Sequence, residues 1–295
     1  MNKSFATLIM GSAMAVSVSA IATSPTQAAT LTNITIGGTN PTDYFVYDAN
    51  NVNTFIVDST LANVAKVLEN ASAANPTGNV ELAASSETPG FDFTKNTTLE
   101  GTINGRNLII SSLTETDWTD TYKDTGLSFG QFWFNQALSA NGFANLVGTP
   151  IGQALFNNFV DNGGYKRFSD PNIAYVTQED LNSPIKIGLA GVLNARDLLF
   201  STVPPEFQPL LAGVDTIQAS EIYRYTYEGQ TDLQFSFVAV PSGLVTLDGT
   251  MSQDGIYDPE IIVGVPATVP EPSVIFGMLG VAGIFAAQRK LKNSI

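Results

Sequence analysis

Apolar and polar positions along this chain change their rhythm three times. Residues 31–36, 43–47 and 54–57 are short β-rich runs separated by Gly, Asn and Pro, a pattern that predicts strands. Ser59 then offers an N-cap, and Leu61, Val64, Ala65, Leu68 and Ala71 follow at helical spacing as one amphipathic face. Asn75-Pro76-Thr77-Gly78 stops that helix, residues 80–84 predict another strand, and the polar run 85–96 predicts an exposed loop. Residues 99–103 and 106–110 flank Asn104-Gly105, the pair that a two-residue type I′ turn needs at its positive-φ positions, so a hairpin is expected there. A further strand is expected at about 117–122.

From Phe129 the spacing turns helical. Phe129, Phe132, Trp133, Gln136 and Ala137 predict one helix, and Ile151, Ala154, Leu155 and Phe159 another. An aromatic face of this kind is first of all core. Residues 173–177 predict a strand and 188–200 a third helix-like piece ahead of Pro204-Pro205. Strict alternation then returns: Tyr223, Tyr225 and Tyr227 alternate with Arg224, Thr226 and Glu228, which predicts a half-buried strand. A turn at 229–232 would pair it with residues 233–240. Runs 244–247 and 256–263 would complete the sheet, with Pro259 breaking the last strand or holding it at an edge. The expected fold is mainly β, an antiparallel β-sandwich-like body over 29–268 with a helical insert at about 129–200. An α+β arrangement is the alternative.

Composition narrows the chemistry. Of the 13 Lys and Arg residues, Lys3, Arg289, Lys290 and Lys292 lie in the two ends, leaving nine cations against 27 carboxylates over residues 29–272, a net charge of −18. Such a field repels phosphate backbones, so no nucleic-acid partner is expected. The chain has no Cys, hence no disulfide framework and no thiolate nucleophile or metal site. It has no His either, which removes the commonest general base and any Ser-His-Asp triad. A metal would have to be calcium or magnesium on oxygen ligands. No motif asks for a cofactor.

Both ends of the chain carry addresses. Residues 1–28 have a positive start at Lys3, an uncharged stretch from Phe5 to Ala22, and Thr26-Gln27-Ala28 with small residues at the −3 and −1 positions. That order predicts a signal peptide cleaved after Ala28. At the other end Val269, Pro270, Glu271 and Pro272 precede the uncharged segment 273–287, and Arg289, Lys290 and Lys292 follow. Fifteen helical residues span only ~22 Å against the ~30 Å of a hydrocarbon core. The cations, placed for snorkelling and for the positive-inside rule, nevertheless favour a transmembrane helix over a buried one. Gly277, Gly280 and Gly283 agree with that, since membranes tolerate glycine in helices better than water does.

Pro-Glu-Pro, an apolar span and a basic end together resemble the PEP-CTERM sorting signal of Gram-negative bacteria, cyanobacteria included. The resemblance covers 269–292. It implies export, transient anchoring in the inner membrane, recognition of the proline motif by an exosortase-type membrane transpeptidase, and release to the cell surface or an extracellular polysaccharide matrix. Prolines hold such a motif extended and off the helix, open to an enzyme cleft.

Three functional classes stand. One is a structural or weakly glycan-associated surface or matrix protein. The second is a carbohydrate-active enzyme working through carboxylates alone, for which Glu115, Asp117, Asp120 and Asp124 crowd around Trp118 and Tyr122, possible stacking surfaces for a sugar. The plainer account of that cluster is an acidic, solvated strand. The third is a calcium-stabilised adhesin using Asp254, Asp258 and Glu260, or Asp161 and Asn162, although neither set has the spacing of an EF-hand loop.

Overall fold

The computed structural model describes residues 28–69, 76–211, 213–247 and 252–263. Signal residues 1–27, the motif Val269–Pro272, the membrane segment 273–287 and the cations Arg289, Lys290 and Lys292 lie outside them. Among the described residues, no helix is long and apolar enough to cross a membrane.

In chain order, β1 (Ala29–Thr30), β2 (Thr32–Gly38), β3 (Tyr44–Ala49) and β4 (Asn53–Val57) lead into α1 (Leu61–Val67). Strands β5 (Gly78–Leu82), β6 (Thr97–Ile103) and β7 (Arg106–Ser111) follow, then the helices α2 (Glu115–Thr119), α3 (Phe129–Ala140), α4 (Pro150–Asp161) and α5 (Gly164–Arg167). Next come β8 (Asn172–Gln178), β9 (Ile185–Gly191), α6 (Arg196–Thr202) and α7 (Gln208–Leu211). The chain finishes with β10 (Tyr223–Tyr227), β11 (Gln230–Gln234), β12 (Ala239–Pro241), β13 (Val245–Thr246), β14 (Gly255–Tyr257) and β15 (Glu260–Ile261).

These strands form two sheets. The larger runs β12-β14-β9-β8-β5-β3-β4-β13, with β1 also on β8 and β15 also on β9; the smaller runs β11-β10-β7-β6-β2. Among the described residues, pairing is antiparallel throughout except between β13 and β4. Both sheets feed one core. Val46, Val80, Ile173, Ile187 and Leu189 come from the larger, Leu99, Leu108, Ile110 and Tyr225 from the smaller, and Val64, Val67 and Leu68 from α1 and its C-cap. The body is mainly β, as the alternation foretells.

Local signals held where turn chemistry dictated them. Asn104 (φ 49°) and Gly105 (φ 76°) form the expected hairpin turn between β6 and β7. Burial along β10 alternates as predicted, with Tyr223, Tyr225 and Tyr227 inward. Pro259 does interrupt the last strand, separating β14 from β15.

Other expectations are corrected. The N-cap of α1 is Thr60, whose hydroxyl accepts from Asn63 N at 3.3 Å, while Ser59 exchanges bonds with Tyr44 instead. Val64, Val67 and Leu68 are buried, whereas Leu61 and Ala65 are exposed. Ala71 lies outside the described residues. The strand expected at 117–122 is α2, because Thr114 and Asp117 cap a helical first turn. The helix-like run 188–200 is the end of β9 followed by α6; pairing with β8 on one side and β14 on the other overrides its propensity. Helices α2 to α5 end at Arg167, so the expected insert at 129–200 also contains β8 and β9. Finally, β11 begins at Gln230 and stops at Gln234, after which the chain crosses to the larger sheet as β12.

Helices α2 to α5 gather around a second core of rings. Trp118 stacks on Tyr165 (4.5 Å, 18°) and meets Trp133 edge-on (5.7 Å, 85°), while Trp133 also packs on Phe168 at 4.7 Å. Phe235 and Phe237, from the crossover after β11, close this cluster.

Candidate functional site

The acidic patch proposed around Trp118 is a capped helix, not a sugar platform. Asp117 Oδ2 accepts from the backbone N and the hydroxyl of Thr114 at 2.7 and 2.8 Å, and its Oδ1 accepts from Arg224 Nη1 at 2.7 Å. Its valences are taken by cap and cation. Trp118 is fully buried, and its indole N–H donates to Ser169 Oγ at 2.7 Å, so no sugar ring reaches its face. Tyr122 is half-buried and donates to Asp232 Oδ1 at 3.3 Å, while Lys123 reaches Asp232 Oδ2 at 2.6 Å. Glu115, Asp120 and Asp124 are exposed. The sequence placed these carboxylates near two rings; the structure turns those rings away from them.

The residues proposed for calcium are likewise engaged. Asp254 Oδ1 accepts from Leu193 N at 2.6 Å, and Glu260 pairs with Lys186 at 3.7 Å. Burial pushes the Asp258 carboxyl up, against a hydrogen bond from Tyr175 that lowers it. Asp161 and Asn162 sit at the end of α4, where Asn162 Nδ2 donates back to Asn158 O at 2.8 Å. Among the described residues, no group of three carboxylates converges on a metal position. Ala28 lies immediately ahead of β1, which pairs with β8.

A different carboxyl cluster emerges, one that the sequence does not announce. Glu81 on β5 stands in register with Asn172 on β8. Asp170 lies just ahead of β8, and Glu221 just ahead of β10. Asn172 binds Glu221 twice over, its backbone N donating to Oε2 at 2.8 Å and its Nδ2 to both carboxylate oxygens at 3.2 Å. Asp170 Oδ2 accepts from the buried hydroxyl of Ser86, in a loop expected to be wholly exposed. Asp170 Oδ1 and Asn172 Oδ1 are buried without a hydrogen-bond partner.

Electrostatics follow from that crowding. Burial pushes the Glu81 carboxyl up to about 7, against a hydrogen bond from Tyr47, with Asp43 and Glu87 adding like charge. Burial, and then the Glu81 carboxylate, push Asp170 well above the ordinary range. Glu221 is raised the same way, by burial first and by Asp170 second. With Asp170 buried and Glu81 and Glu221 half-buried beside it, like charge and burial both favour the protonated carboxyls. The one sequence cue was Glu81 itself, a charge between Val80 and Leu82 inside a strand. Asp170 and Glu221 sit in strand approaches, where a carboxylate is unremarkable.

A shallow cavity of about 340 Å³ lies where the β6–β7 and β10–β11 turns run side by side. Arg106 and Glu228 face each other across it at 3.8 Å, Asn107 is exposed on its wall, and half-buried Ile109 forms part of its lining. Comparison with protein families, curated proteins and solved structures finds no match to this chain.

Proposed function

We propose that this chain is an exported protein of the cell surface or extracellular matrix, with a sandwich-like β body, delivered by a tail of the PEP-CTERM kind. The carrying observation is the order of segments at the C-terminus: Val269-Pro270-Glu271-Pro272, an uncharged span, then Arg289, Lys290 and Lys292. The fold supports it. Strand β15 ends at Ile261, so up to roughly 30 Å of chain separates the last strand from Pro270. An exosortase-type transpeptidase would act at that motif. Removal of residues 1–28 would leave β1 whole. A net charge of −18 over residues 29–272 favours solubility outside the membrane, and the groove between the hairpin turns, polar with an aliphatic patch, suits a weak contact with polysaccharide.

The test is cell fractionation with an antibody against the body. The native chain should appear at the surface or in the matrix as a form shortened at both ends. A Pro270→Ala, Glu271→Ala, Pro272→Ala triple variant should accumulate, unshortened at its C-terminus, in the inner membrane. Identical size and location of the two proteins would refute the sorting role. Loss of binding to isolated extracellular polysaccharide in Arg106→Ala would support the glycan contact.

A further inference from the structure

The carboxyl cluster sits where the two cores meet. On the aromatic side, Leu113 N donates to Ser169 O at 3.0 Å, Ile222 N to Phe168 O at 3.0 Å, and Trp118 to Ser169 Oγ. On the strand side, Leu82 N donates to Pro171 O at 3.2 Å, and Asn172 is in register with Glu81. Residues 168–172 are thus a strip bonded to the ring cluster along one half and to the larger sheet along the other. Asp170 lies at its middle, held through one oxygen by Ser86 and with the other buried and unpartnered.

The charged and titratable groups that face this strip are nearly all acids or phenols. Glu81 comes from β5, Tyr47 from β3, Asp43 from the approach to β3, Glu87 from the loop after β5, Glu221 from the approach to β10 and Tyr257 from β14. Asp43 is satisfied by Ser85, whose N and Oγ donate to it at 2.9 and 2.7 Å. Arg167 pairs with Glu87 at 3.6 Å on the exposed rim. No cation stands among the groups named inside the cluster to offset its carboxylates.

We propose that Glu81, Asp170 and Glu221 form a proton-held latch between the strand core and the aromatic cluster, closed while the carboxyls keep their protons and loosened as they ionise. The ligand is the proton, and the latch does not depend on the export reading. Its sign is set by the direction of the shifts. A carboxyl raised in the folded state binds a proton that the unfolded chain has released, so stability falls as pH rises between the two values. For Glu81 that window runs from 4.5 to about 7; for Asp170 and Glu221 the direction is the same.

Thermal unfolding of the purified chain, read by the emission of Trp118 and Trp133, tests this. The melting temperature should be about 3–8 °C lower at pH 8.5 than at pH 5.5. Asp170→Asn keeps an oxygen for Ser86, and Glu81→Gln is the milder change at a half-buried site; each should flatten the slope. General repulsion among surface carboxylates would survive both substitutions, so an unchanged slope in the variants overturns the latch. A melting temperature in the native chain that is equal at the two pH values also overturns it. The series is repeated in EDTA and in millimolar calcium. Indifference to calcium supports the latch, whereas calcium abolishing the pH effect would make the cluster a cation site and sink it. Should Asp170→Asn fail to fold, Glu81→Gln decides the outcome.

Discussion

Trp118 donates its indole N–H to Ser169 Oγ at 2.7 Å, and Ser169 is the residue directly before Asp170. Ser169 donates its own hydroxyl to Tyr165 O at 2.5 Å, so the stacked pair Trp118–Tyr165 is clamped by one serine. Replacing Trp118 by Phe removes the donor and part of a fully buried ring. The expected cost is about 2–4 kcal/mol of stability, measured as a lower urea midpoint at unchanged slope.

Both tryptophans are sealed, Trp118 at 0 % and Trp133 at 2 % exposure. Iodide should therefore quench their emission only weakly in the folded chain and strongly after denaturation. Soluble oligosaccharides should leave the emission unchanged. A sugar-induced shift would revive the stacking platform proposed from sequence, because it would require Trp118 to be reachable.

Asp117 joins two elements that are far apart in sequence, capping α2 through Thr114 and pairing with Arg224 of β10 at 2.7 Å. Asp117→Ala loses both contacts and leaves the Arg224 charge half-buried, so it should cost about 2 kcal/mol. Arg224→Met keeps the cap and should cost less. A double-mutant cycle should return a coupling of about 0.5–1.5 kcal/mol, and a value near zero would mean that the pair is idle.

Gly188 faces Tyr175 across the β8–β9 ladder, and a Cβ there would lie 2.2 Å from the ring. Tyr175 is itself buried and has little room to move. Gly188→Ala should destabilise the chain by about 1–3 kcal/mol, readable as a fall in melting temperature, whereas the same change at exposed Gly213, with open space around it, should do little.

How much of this was legible in the chain depended on how local the cause was. Asn104-Gly105, the tyrosine alternation of β10 and the break at Pro259 are decided within a few residues, and each appears as foretold. The stretch 188–200 failed because its partners, β8 and β14, lie elsewhere in the sequence. Similarly, α2 was missed because one capping pair, Thr114 and Asp117, outweighs the β-like residues that follow. The acidic patch at 115–124 was visible as composition, but only packing tells which way Trp118 points. For Glu81, Asp170 and Glu221 the obstacle is general. Proximity between one strand and two strand approaches has no sequence signature, and a raised carboxyl is a property of its surroundings.

The pairing of β13 with β4 has a kinetic consequence. Asn53 Nδ2 donates to Val245 O across 192 positions, and β14 and β15 must reach back to β9 before the larger sheet is complete. Contacts of such long range make folding slow, because loop-closure entropy is lost before the pairing rewards it. A chain emerging N-terminus first therefore cannot seal its larger sheet until almost all of it has been delivered. Until then the outer rims of β4 and β9 stand open, and the interval before closure is when this protein is most vulnerable to pairing with a neighbour.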